Sequence, residues 1–265
     1  MLGRDNDLGY GIMRVDEDQR WVPFYLGQPL WSFLNACFFE YGIAAYDLEL
    51  GAVIAKKQTG DPDFRARAKV TLTKIRNQMT KDYVVHPLIS GPSALSTLSA
   101  NFTANIVRNV WSNSVILCGH FPEGVETFEK KSIDGETRGE WYLRQMVGSA
   151  NISGSKAMHV MTGNLSHQIE HHLFPDLPSN RYAEISDRVR PLCDKYGIPY
   201  TTGPLYKQYG QALRTITKLS LPNKFTSSDR RDGPHSPEVP RGRAKDTQRP
   251  TRRTETGVWT SKATA

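Results

Sequence analysis

The sequence predicts a mainly α fold, and three observations predict it. Two long apolar stretches are candidate membrane-embedded helices, the linker between them alternates apolar and basic positions at roughly helical spacing, and a histidine group recurs on one helical face. The chain has 265 residues, 38% hydrophobic and 23% charged, enough for a real core. It is not a repeat array, a coiled coil or a disulfide mini-protein. Cys37, Cys118 and Cys193 lie far apart, without the paired spacing of a zinc ribbon or a redox motif, and read as reduced and intracellular.

Residues 1–21 are rich in Gly and Asp and carry charges of both signs, so they do not read as a secretory signal. The first apolar element occupies 22–55, and its run from Val22 to Tyr46 has Glu40 as its only charge. That length could cross a bilayer, and a buried core helix accounts for it equally well. The linker 56–82 holds eight Lys and Arg against three Asp, and its FRARAKVTLTKIRNQM fits either a basic amphipathic helix on a membrane surface or an ordinary solvated helix. From Val84 to Cys118 the only formal charge is Arg108, while Asn101, Asn105, Asn109 and Asn113 line one helical face and the SGPS at Ser90 to Ser93 breaks or kinks the run. If each stretch crosses once, the linker's basic residues lie opposite both termini, against the positive-inside tendency; a hairpin or re-entrant element avoids this.

Residues 119–222 form a mixed polar region. The tail from Asn223 to Ala265 is rich in Pro, Ser, Thr, Arg and Gly, has hardly any large apolar residue, and is expected to be disordered. It holds ten Lys and Arg against five Asp and Glu, so it supplies five of the seven net positive charges and leaves the body near neutral. The mean hydropathy of −0.51 blends this polar tail with the apolar stretches. Nucleic-acid binding would rest on the tail's charge, with Trp259 the one aromatic beyond Phe225 to stack on a base. Attraction to anionic lipid is the milder reading, and no nucleic-acid partner is expected.

Five of the seven histidines, His120, His159, His167, His171 and His172, fall between 120 and 172, most tightly in NLSHQIEHHLFP. On a helical wheel with His167 at the origin, His171 falls at about 40°, Gln168 at about 100° and His172 at about 140°. Four nitrogen- or oxygen-bearing side chains thus share one face, and neutral imidazoles so placed suit zinc, copper, iron or nickel. Glu170 lies roughly 60° off that arc, where it orients an imidazole or is simply solvated. Pro175 ends the helix. His120, in CGHFPEG, is placed either to face a site at a membrane boundary or to meet a helix C-terminus. His86 and His159 have no comparable context, and His235 is assigned no role.

The stretch HQIEHHLFPDLPSNRY closely resembles the third histidine box of the integral-membrane fatty acid desaturases, HxxHH or QxxHH followed by LFP. GHFPEG, the RNVW at Arg108 to Trp111, the opening LGRDNDLGY and the later GPLYKQYG resemble the actinobacterial acyl-CoA desaturase branch, so that the likeness covers residues 2–222 as one desaturase domain. The resemblance implies a mostly helical membrane protein whose cytosolic helical cap holds two irons through histidines from three boxes. It implies O2 as oxidant, two electrons from a separate reductase or ferredoxin, an acyl-CoA or other acyl substrate, and membrane lipid as surroundings. Iron is needed because no amino-acid side chain abstracts hydrogen from a methylene. Carried over by position, His171 and His172 match metal ligands, Gln168 a ligand or hydrogen-bond partner, and His120 the extra histidine before the third box; His167 stands beside the box as a further candidate ligand.

The family's first two boxes lie upstream of the segment resembling LGRDNDLGY, where this sequence has no histidine. Taken alone, the chain is expected to bind at most one iron well and to desaturate nothing, either because its true start lies further upstream or because it is a truncated, inactive remnant. A soluble zinc hydrolase using His171, His172 and a Glu170 base lacks the HExxH spacing and leaves the apolar stretches unexplained. The basic linker is a further candidate, as a docking surface for the electron donor.

Overall fold

The computed structural model of the chain describes residues 13–14, 20–48, 62–126, 128 and 135–223. The LGRDNDLGY segment, part of the linker and the tail beyond Asn223 lie outside the described residues.

In place of one long helix, the first apolar stretch makes three short pieces: a 3-10 turn Pro23–Gly27, α1 (Gln28–Cys37) and α2 (Phe39–Asp47). Pro29 sits in the first turn of α1, where its missing N–H has no helical partner to lose. Phe38, at φ −119° and ψ 33°, leaves the helical region and separates α1 from α2. The side-chain oxygen of Asn35 lies where a Cβ on residue 42 would have to go, so Gly42 permits the two helices to fold against each other. A ten-residue helix rises about 15 Å, half of a hydrocarbon core of about 30 Å.

The second stretch and the linker before it together form a helical hairpin. Its first arm runs through α3 (Pro62–Thr80), a π-helical turn Lys81–Val85 and α4 (His86–Ile89). The wide turn precedes Pro87, which supplies no N–H and crowds the carbonyl one turn before it. The expected break forms at SGPS, where Ser90 Oγ donates to the carbonyls of His86 and Pro87 and Gly91 takes φ +55°, in the left-handed region. The chain then returns as α5 (Ala94–His120).

The asparagine face of α5 is the inside of this hairpin. Asn101 donates to the Asp82 carbonyl at 2.6 Å, and Asn105 donates to the Asp82 carboxylate at 3.2 Å and to the Tyr83 hydroxyl at 2.9 Å. At its base Glu40 of α2 pairs with Arg108 at 2.5 Å and accepts from Gln78 and Asn109. Those polar positions lower the mean hydropathy of α5, and no helix among the described residues is both long and apolar enough to cross a membrane.

The C-terminal half of α5 enters the folded body. There follow α6 (Arg138–Val147), begun by a reciprocal Thr137–Glu140 capping box, β1 (Asn151–Ser153), α7 (Lys156–Met161), α8 (Gln168–Leu173), α9 (Tyr182–Tyr196), β2 (Thr202–Pro204) and α10 (Leu205–Leu219). β1 and β2 pair in parallel, with Asn151 opposite Thr202. Leu117 packs on Ala212 and Ile216 of α10, Val115 and Cys118 on Ile152, and Ile169 and Leu173 on Val189 and Cys193 of α9. The three cysteines are free and buried.

Candidate metal centre

Two helix ends build the site. α5 delivers His120 as its last residue, almost fully buried, and α8 delivers Gln168, His171 and His172. Their close approach depends on Gly119, since a Cβ there would stand 2.8 Å from Gln168 Cγ. The carbonyl of Gly119 accepts from Ala150 N–H at 2.9 Å, which ties the end of α5 to the segment leading into β1.

Gln168 is the meeting point. Its amide nitrogen lies 3.5 Å from His120 Nε2 and 3.2 Å from His172 Nε2, and the two imidazoles stand edge to face with centroids 5.2 Å apart. The Oε1 of Gln168 is buried without a hydrogen-bond partner, so this end of the side chain has an acceptor to offer a cation. His171 lies edge-on to His172 at 5.7 Å, and its Nδ1 is 3.1 Å from the hydroxyl of Tyr182. Burial holds the Tyr182 phenol above its ordinary value, so it stays a neutral hydrogen-bond partner.

His167 departs from the face that helical spacing assigns it. It is the residue before α8, with φ −98° and ψ 59°, and its ring turns to the other side to stack on His159 with centroids 4.6 Å apart. His159 Nδ1 contacts Ser166 Oγ at 2.7 Å, and Nε2 of His167 is buried without a hydrogen-bond partner. Burial, and after it the neighbouring His159, pushes the His167 imidazole below its ordinary value and favours its neutral form. The turn from α7 carries Gly163 and Asn164 at φ +62° and +63°, which glycine and asparagine tolerate best.

Glu170 points away from the imidazoles of its own helix. Fully buried, its carboxylate accepts from Asn151 Nδ2 at 2.8 Å and from the Tyr200 hydroxyl at 2.8 Å, and lies 3.9 Å from His167 Nδ1. Asn151 also caps α8 from β1, its Oδ1 accepting from Ile169 N–H at 2.8 Å. Ser186 of α9 reaches the Tyr200 hydroxyl at 3.0 Å. Burial raises both Glu170 and Tyr200 above their ordinary values, Tyr200 also through the adjacent carboxylate. The amide–carboxyl–phenol cluster therefore fixes α8 about its axis.

The donors gathered around Gln168 are two imidazoles and one amide oxygen. Among the described residues no group of three His, Cys, Asp or Glu side chains closes around a point, and the residues present do not fit a pair of irons. The structure adds His159, Tyr182, Asn151 and Tyr200 to the groups that surround these side chains. His159 was visible as part of the histidine cluster, but the others carry no local signal.

The family model described as fatty acid desaturase matches residues 2–204. The chain is 48% identical over 240 residues to the NADPH-dependent stearoyl-CoA 9-desaturase of Mycobacterium tuberculosis, covering 89% of this chain and 56% of that protein. It is 28% identical over 138 residues to the mouse fatty acid desaturase 2-like protein FADS2B, covering 51% of this chain and 27% of the relative. Against human fatty acid desaturase 3 it is 32% identical over 113 residues, covering 43% and 24%. The chain thus spans about half the length, or less, of these curated relatives, and no solved structure matches it. A family model that covers most of the chain, together with a relative of near-half identity, shows that the chain belongs to the fatty acid desaturase family.

Proposed function

We propose that the chain is the part of an acyl-CoA desaturase in lipid metabolism that bears the third histidine box. The reaction removes one hydrogen from each of two adjacent methylenes of an acyl chain, and O2 leaves as two waters with two electrons and two protons from a separate reductase or ferredoxin. The observation that carries this reading is the convergence of His120, Gln168 and His172 at the end of α5, in a chain similar to a protein named as a stearoyl-CoA desaturase.

Iron, when bound, supplies the oxidising power that no side chain has. His120 and His172 offer ring nitrogens and Gln168 its carbonyl oxygen. His171 would join through Nε2, its Nδ1 being engaged at 3.1 Å by the Tyr182 hydroxyl, a contact that orients the imidazole. His167, stacked on His159, stays outside this set. A donor set of two imidazoles and one amide favours a second reading for the chain by itself, in which it does not turn over.

Membrane residence, with the histidines on the cytosolic side, belongs to the same proposal. It is supported by the inverted polarity of the hairpin, whose inside is Asp82, Asn101 and Asn105 and whose outside is apolar. The test is iron uptake by the full chain, with acyl-CoA conversion followed in the presence of a reductase. His120→Ala and His172→Ala are each expected to weaken iron binding at least tenfold; undiminished binding by both variants would overturn the site. Extraction of membranes with alkaline carbonate should leave the chain in the pellet, and its release would refute insertion.

A further inference from the structure

Polarity runs in a gradient along the hairpin. Leu88, Ile89 and Leu95 flank its turn and are 73%, 78% and 75% exposed, and Val84, Val85, Phe102 and Val107 also face outward. From Tyr83 to Val107 there is no Asp, Glu, Lys or Arg. Charge begins at the base, with Lys81 on one arm and Arg108 on the other. Beyond Lys81, α3 presents Arg65, Arg67, Lys69, Lys74 and Arg76 against Asp63 alone, and no residue of this helix is buried. Arg65, Lys69, Leu72 and Arg76 follow one another at helical spacing on a single face.

The dimensions match a bilayer entered from one side. The uncharged part of α5 from Ala94 to Val107 rises about 20 Å, against a hydrocarbon core of about 30 Å, so an immersed turn leaves the basic base at headgroup level. The return arm then continues to His120, which places the hairpin's base and the histidine cluster on the same side.

We propose that the Arg65, Lys69 and Arg76 face of α3 docks on anionic phospholipid headgroups at the base of the hairpin, on the face that carries the histidines. The inference rests on the membrane reading above and adds to it a headgroup chemistry. Each Lys or Arg held at an anionic surface strengthens partitioning about fivefold, and arginine adds paired hydrogen bonds to phosphate.

The test uses the full chain and vesicles of phosphatidylcholine alone or mixed with phosphatidylglycerol. The chain is expected to float with both, at least tenfold more tightly with the mixed vesicles at low salt, and the preference should shrink as salt rises. Combining Arg65→Glu, Lys69→Glu and Arg76→Glu should reduce the preference at least fivefold while binding to phosphatidylcholine and helix content persist, since these positions are exposed. In the same vesicles Asn77→Cys on α3 and Tyr196→Cys at the end of α9 should react with an impermeant maleimide from the same side. Equal binding to the two lipid mixtures, an undiminished preference in the triple variant, or labelling of the two cysteines from opposite sides would each overturn the proposal. Failure to float with either vesicle would remove the membrane reading as well.

Discussion

The position of Gln168 is set by what its neighbours lack. Gly119→Ala would place a methyl 2.8 Å from Gln168 Cγ, forcing the side chain away from His120 and His172. The expected result is metal binding weakened on the order of tenfold, as for other outer-sphere changes, with helix content unchanged by circular dichroism. Glu170 acts on the other side of α8. Removing its carboxylate in Glu170→Ala leaves Asn151 and Tyr200 with buried, unmet groups and should cost about 2 kcal/mol in thermal unfolding. Glu170→Gln keeps an acceptor and should lose less; equal losses in the two variants would show that hydrogen bonding is not what Glu170 contributes. The placing of Gln168, His171 and His172 on one short helix was legible because His171 and His172 are adjacent and one turn from Gln168. The side chains that orient it were not, because Asn151, Tyr182 and Tyr200 reach α8 from separate elements and leave no mark in local spacing. Helical spacing also misplaced His167, because the helix starts one residue after it and its ring follows the preceding turn toward His159.

At the scale of elements, the asparagine repeat was legible as one face of a helix, and the SGPS break was legible from its Gly and Pro. Periodicity gave no hint of what the face meets, namely Asp82 and Tyr83 of the opposite arm. Asp82 is buried, so replacing both Asn101 and Asn105 by Leu should destabilise the hairpin by about 2 kcal/mol even though apolar surface is gained. Unfolding in detergent micelles measures it, and an unchanged midpoint would mean that the hairpin is held by its outer contacts. The start of α6 offers a pH-dependent counterpart. Backbone and side-chain hydrogen bonds from Thr137 hold the Glu140 carboxyl below its ordinary value. A depressed acid stabilises the first turn above its ordinary value and loses that contribution as pH falls through the depressed one. Protection of the first-turn amides of α6 against exchange should therefore drop on acidification, and Glu140→Gln, which removes the titrating carboxyl, should remove the dependence. A pH dependence that survives in Glu140→Gln would assign it elsewhere.

At the scale of the molecule, the two ends of the described chain are joined by a residue whose role no sequence pattern marks. Arg14 is fully buried, and its guanidinium donates to the carbonyls of Leu219 and Leu221 at 3.3 and 3.2 Å and to the side chain of Asn223. Gln28 closes the arrangement by accepting from Arg14 N–H at 2.7 Å and donating to the carbonyls of Arg14 and Ile216, and Trp21 Nε1 donates to Ser220. The partners Arg14 and Leu219 are 205 residues apart, so neither composition nor periodicity could connect them. The physical reason for the contact is ordinary: the last carbonyls of α10 have no helical partner, and a cation meets both their hydrogen-bonding need and the negative end of the helix. Arg14→Ala should therefore cost about 3 kcal/mol, within the range for charged hydrogen bonds, and Arg14→Lys should recover only part because a single ammonium cannot span the same carbonyls. The location of the loss is as informative as its size. If α10 closes the body as a local latch, amide exchange will rise first at the C-terminal turn of α10 while α8 stays protected and metal binding persists. Simultaneous loss of protection in α8 and α10 would instead show that the latch and the histidine site unfold as one cooperative unit, through Ala212 and Ile216 packed on Leu117 one turn before His120.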